Sequence, residues 1–189
     1  VPAASRQSRL PASGRHYRSL RSGAIRPHRQ TRRRHNARPS AWTTVLASHS
    51  QLFPGLPLHS ARLVLSPIRR DDAAALFVLQ SDPDVMRWWN HPAWTRPAEA
   101  REQIDDDLAA HAIGTQLKLA VRESMDGPLL GICVVFAVDR DAARAEIGYL
   151  LAPDQQGQGY MHEALQQVLA YLFRTLRLHR VEAEIDPRN

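Results

Sequence analysis

The segment that most constrains this chain runs from Ala145 to Leu176 and reads as strand, glycine turn and helix. Ala145-Glu146-Ile147-Gly148-Tyr149-Leu150-Leu151 is an apolar strand, and Pro153 ends it. In Asp154-Gln155-Gln156-Gly157-Gln158-Gly159-Tyr160 the two glycines free the backbone where a side chain would obstruct it. Leu165, Val168, Leu169, Leu172, Phe173 and Leu176 then recur at helical spacing. Such a turn aims several backbone N–H groups at one point, at the positive end of a helix dipole. That is an anion site, suited to a phosphate or pyrophosphate.

Competing phosphate motifs fail on particular residues. A P-loop needs Gly-Lys-Ser/Thr, and the segment has no lysine. A dinucleotide fingerprint needs a small residue three positions after the second glycine, where this chain has His162. His162-Glu163 is followed by Gln166 rather than a second histidine, so it is no zinc helix. The whole run, Glu146-Ile147-Gly148-Tyr149 through Gln156-Gly157-Gln158-Gly159-Tyr160-Met161 to Glu163-Ala164-Leu165, resembles the acetyl-CoA motif of the GNAT N-acetyltransferases, and within them the RimJ/RimL-like branch. A glycine turn that merely packs helix on sheet is the alternative.

Charge divides the chain. Residues 1–50 hold 11 arginines and no acid; residues 51–189 hold 14 of the 25 basic residues and all 19 acids, so +11 precedes −5. The leader has no apolar periodicity, and no core forms from it. We place it at residues 1–56, with the GNAT domain at 57–189. Three readings compete for it: a disordered or artefactual extension, a basic arm for RNA or the ribosome including Arg32-Arg33-Arg34-His35, and a transit peptide. The single cysteine, Cys133, excludes an internal disulfide and makes a reducing, cytoplasmic setting the default. It falls in an apolar strand and reads as a buried, inert thiol. No apolar run approaches membrane-spanning length.

Along the remainder, Arg62 to Ile68 is a first strand, and Asp71 or Asp72 caps a helix through Leu76, Phe77 and Leu79. This opening is also similar to RimJ/RimL-like enzymes. Asp82 to Met86 starts a short helix, followed by the aromatic run Arg87-Trp88-Trp89-Asn90-His91-Pro92-Ala93-Trp94. The tryptophans either close the core edge or wall a recognition surface. Thr95 reads as the cap of a helix with Pro97 in its first turn. Asp105-Asp106-Asp107 on that helix fan out too widely for magnesium and read as a solvated face. Leu117–Arg122, Leu129–Val138 and Arg144–Leu151 form an antiparallel meander, and Arg180–Ile185 returns parallel to the last of them. The expected fold class is therefore α/β, with a mixed central sheet flanked by helices.

The resemblance implies acetyl-CoA as cosubstrate, no metal, and a primary amine as acceptor. That amine would belong to a protein N-terminus, such as a ribosomal protein's, or to a small molecule. It implies that backbone N–H groups of Gln156, Gly157, Gln158, Gly159, Tyr160 and Met161 hold the pyrophosphate. A bulge-type kink in Glu146–Leu151 would open a gap toward Val181–Ile185 for the pantetheine arm. An N–H at Leu150 or Leu151 would polarise the thioester, and Asn189 would reach the pantetheine. Gln156 stands where many relatives have Trp, and Asp154 where the general pattern has Gln or Arg; neither change removes a backbone donor. Trp88, Trp89 and Asn90 would wall the acceptor. Glu146 is the candidate base, two residues before Gly148 and on the same side of the strand. Tyr149 and Tyr160 are candidate proton donors to the leaving thiolate. In this branch Asp186-Pro187-Arg188-Asn189 introduces a further helix and two strands, which are expected to be missing here. A catalytically impaired CoA-binding fragment and an RNA- or ribosome-associated module are the alternative functions.

Overall fold

The structure is a computed structural model, and it describes residues 52–188. The basic arm of residues 1–50, with its RNA and ribosome reading, lies outside these, as does Asn189. The strands are β1 (Leu58–His59), β2 (Val64–Pro67), β3 (Leu117–Arg122), β4 (Gly131–Asp139), β5 (Arg144–Leu151) and β6 (Arg180–Glu182). The helices are α1 (Ala73–Ser81), α2 (Pro83–Met86), α3 (Pro97–Ala112) and α4 (Tyr160–Arg174). The strands form one sheet in sequence order, antiparallel throughout except for the parallel pair β5–β6. This is the expected mixed sheet flanked by helices.

Alternation along the strands gives the sheet two apolar faces. One carries Leu65, Leu119, Val121, Cys133, Val135, Ala145 and Ile147, and meets α4 through Ala164, Val168, Tyr171 and Leu172. The other carries Ala120, Ile132, Val134 and Leu150, and meets Leu76, Leu79, Val85, Met86 and Ile104 from α1, α2 and α3. Phe173, expected on the buried stripe of α4, is 42% exposed; Ala164 and Tyr171 take the core face instead. Among the described residues no helix is long and apolar enough to cross a membrane.

Several local expectations are corrected. The folded part begins before residue 57: Phe53 is buried in the core, its ring against His111. Asp72 stands at the N-cap of α1 as expected, but its side chain accepts no N–H of that helix. Its carboxylate accepts the Arg69 N–H and pairs with Arg122, both Asp72 and Arg122 being buried. Thr95 does not cap α3; Arg96 is the first flanking residue, and Glu99 reaches back to accept the N–H groups of Thr95 and Arg96 at 2.9 and 2.7 Å. Asp107 is not solvated but buried against Lys118. β6 ends at Glu182 rather than Ile185.

The kink also lies elsewhere than expected. β5 pairs with β4 in unbroken register from Glu146 to Leu151, and the irregularity falls between Phe136 and Asp139 of β4, where Ala137 has φ 48°. The β5–β6 gap opens because β6 stops pairing after Glu146↔Glu182.

Candidate active site

The turn after β5 is built by two glycines in the left-handed region, Gly157 at φ 73° and Gly159 at φ 79°. Gly159 is the residue before the first turn of α4. A Cβ on Gly157 would meet nothing within 4 Å, so the space beside this residue is open. None of the backbone N–H groups from Gly157 to Met161 makes a hydrogen bond among the described residues. They lie at the positive end of a 15-residue helix. The Gln156 N–H is the exception to the expected cradle, because it already donates to the Pro153 carbonyl at 3.3 Å. The Gln156 side chain instead donates to the Leu151 carbonyl at 3.2 Å and ties the turn to the strand end.

The turn leads into the gap beside β5. In an antiparallel ladder, successive residues direct their polar groups to opposite sides. The Ala152 N–H donates to the Leu130 carbonyl, on the β4 side, while the Ala143 carbonyl accepts His179 and Arg180 N–H groups from the β6 side. Even-numbered residues of β5 therefore face β4, and odd-numbered ones face the gap. This separates the two expected thioester donors. The Leu150 N–H belongs to the ladder with Ile132, whereas those of Leu151 and Tyr149 point into the gap and have no backbone acceptor among the described residues.

A cavity of about 420 Å³ joins the turn, the open edge of β5 and the α2 loop. Its walls include Leu150, Leu151, Gln156, Gly157, Gly159, Tyr160 and Met161, and from the loop after α2 Trp88 and Trp89. Gln158 and Asn90 are not part of the wall; both are exposed. Glu146 is half-buried in register with Phe136 and Glu182, and it too lies outside the wall. Sequence reasoning missed the carboxylates that do line it, Asp84, Glu184 and Asp186. Asp84 lies in the short helix α2 and Asp186 opens the terminal Asp-Pro motif, where neither residue type nor spacing marks a site. Arg188 holds the Asp186 carboxyl down at about 2, so it is an anion at neutral pH.

The two candidate thiolate acids are now distinguishable. The Tyr160 hydroxyl donates to Glu123, and this bond, with some burial, raises its pKa. Its proton is thus committed to that carboxylate. Tyr149 lines the cavity. Cys133 is buried on the α4 face, where desolvation pushes its thiol up to about 12.

An unpaired N–H cradle opening onto an unpaired strand edge fits a ligand with a pyrophosphate at one end and an extended, amide-bearing arm. Coenzyme A has that form. A sequence model described as an acetyltransferase (GNAT) domain matches residues 62–189. The chain belongs to the GNAT acetyltransferase family. It is 33% identical over 134 residues to the uncharacterized N-acetyltransferase p20 of Bacillus licheniformis, across 70% of this chain and 74% of that one. It is 27% identical to the spermidine N(1)-acetyltransferase of Escherichia coli, across 69% of this chain and 67% of that one. Mycobacterium smegmatis RimJ, solved with CoA-disulfide, shares the fold with a TM-score of 0.62 at 24% identity, across 71% of this chain and 68% of that one. The protein is an N-acetyltransferase, moving an acetyl group from acetyl-CoA to an amine.

Proposed function

We propose that this enzyme is of the RimJ/RimL-like type and acetylates a cationic primary amine, of a protein N-terminus or a small polyamine, at the Trp88–Trp89 end of the cavity. The observation that carries this reading is the unpaired strip of β5 between the N–H turn and the tryptophans. N–H groups from Gly157 to Met161 hold the pyrophosphate, and the pantetheine arm lies along Tyr149–Leu151 like an added strand. The thioester carbonyl oxygen accepts from the Leu151 N–H, which stabilises the charge that grows on that oxygen in the transition state.

The amine must shed a proton before it attacks, since its pKa is about 8 for an α-amino group and about 10.4 for a lysine-type amine. Asp84, Glu184 and Asp186 favour arrival of the ammonium form. Glu146 takes the proton through a water, since it lies two residues from Gly148 of the cavity wall. The nitrogen then bonds to the carbonyl carbon, the C–S bond breaks, and the CoA thiolate takes a proton from Tyr149.

Kinetics with Glu146→Gln test the base. The expected result is a kcat drop of about a hundredfold, the ordinary scale of general base catalysis, partly recovered at high pH. A rate within about threefold of wild type at every pH removes Glu146 from the mechanism. Spermidine and ribosomal-protein N-terminal peptides, compared at equal acetyl-CoA, identify the acceptor class.

A further inference from the structure

We propose that Arg62 is a positioning residue for the cosubstrate: it neutralises Glu163 and sets the peptide plane at Gly159, so that the turn accepts a pyrophosphate. This rests on the reading of Gly157–Met161 as the pyrophosphate cradle. Arg62 lies in the connection between β1 and β2, 101 residues from Glu163 in sequence, yet it is fastened to the turn at several points. Its backbone N–H donates to Glu163 Oε1 at 2.9 Å and its Nε to Oε2 at 2.7 Å. Its Nη1 donates to the Gln158 carbonyl at 3.2 Å. The guanidinium lies 4.6 Å from the centre of the Tyr160 ring, and Nη2 is 3.6 Å from where a Gly159 Cβ would be.

Two consequences follow from these contacts. Glu163 is in the first turn of α4, where a carboxylate suits the helix dipole but repels an incoming phosphate. Ser60 and Arg62 hold its carboxyl at about 2, so it is charged at working pH and needs a counter-charge for the anion to bind. Arg62 is that counter-charge. In addition, the Gln158 carbonyl and the Gly159 N–H belong to one planar trans peptide and point in opposite directions. Holding the carbonyl toward Arg62 turns the Gly159 N–H away from it. The next peptide is held through its own carbonyl, since the Gly159 oxygen accepts the Glu163 N–H at 3.1 Å and the Tyr160 N–H of that plane points the other way.

The test is acetyl-CoA titration calorimetry and steady-state kinetics on the full chain with Arg62→Met, Glu163→Gln and both together. Arg62→Met should weaken acetyl-CoA binding and raise its KM by about tenfold, the low end for a charge-assisted hydrogen bond, with kcat at saturation little changed. The double variant should recover most of that loss, because the uncompensated carboxylate is gone. Arg62→Lys, which keeps the charge, should bind better than Arg62→Met. Unchanged affinity in Arg62→Met overturns the proposal, and so does a loss that Glu163→Gln fails to relieve, since a purely structural arginine would behave so. If the wild-type chain itself binds no acetyl-CoA, the cradle reading fails first and this proposal with it.

Discussion

The Trp89 indole lies against the Gly148 backbone: a Cβ placed on Gly148 would sit 2.9 Å from Cη2 of that ring. The glycine on β5 is therefore the seat of an aromatic wall from the α2 loop, and this contact shapes the cavity where the two elements meet. Gly148→Ala should displace the indole. The expected result is a destabilisation of about 1–3 kcal/mol, typical of overpacking, with the acceptor KM raised more than that for acetyl-CoA. Thermal melts and two-substrate kinetics check both. An unchanged acceptor KM would show that Trp89 does not border the acceptor.

The glycine turn and the meander were legible because their signals are local: residue spacing, strand period and left-handed glycines all lie within a few residues. What escaped the sequence depends on partners that the fold brings from far away. Tyr160 finds Glu123 across 37 residues, and Glu163 finds Arg62 across 101. Asp107 was misread for the same reason. Within Asp105-Asp106-Asp107 nothing distinguishes the third acid, and only the docking of α3 on β3 brings Lys118 to it. The roles of Leu150 and Leu151 separated only once the ladder's alternation was known.

The Asp107–Lys118 pair should be costly to break. The Lys118 ammonium lies 2.5 Å from Asp107 Oδ2, and Gln103 and Gln116 donate to Oδ1 at 3.1 and 2.5 Å. Both charged side chains are nearly removed from solvent. Asp107→Ala leaves a buried ammonium unpaired and should destabilise by about 3–5 kcal/mol, whereas Asp107→Leu with Lys118→Met should cost far less. Urea unfolding of the two variants beside wild type decides this. Equal losses in the single and double variants would mean that packing volume, not charge, matters there.

Cys133 should be silent toward thiol reagents in the native protein. It is 1% exposed, its Sγ lies 3.7 Å from Met161 Sδ, and its pKa is raised to about 12. The thiolate is the reactive form, so at pH 8 almost none is present. A disulfide reagent should detect the one thiol of the sequence only after denaturant is added. Acetyl transfer should survive prior treatment of the native enzyme, and fast labelling that abolishes activity would contradict the burial of this strand.

The Glu163–Arg62 pair carries a pH signature whose direction is fixed by its depressed carboxyl. Glu163 falls from an ordinary value of 4.5 to about 2, chiefly through Ser60 and Arg62. A carboxyl depressed on folding contributes stability above its unfolded pKa and loses it as pH falls through its folded one. The melting-temperature advantage of wild type over Glu163→Gln should thus be full at neutral pH. It should shrink below about pH 4.5 and vanish near pH 2. Both partners are partly solvated, so the advantage is modest and weakens with added salt. Paired thermal melts from pH 7 to pH 2.5 measure it directly. A gap that stayed constant over that range would mean that Glu163 acts through shape and hydrogen bonding alone, with its charge irrelevant to the turn.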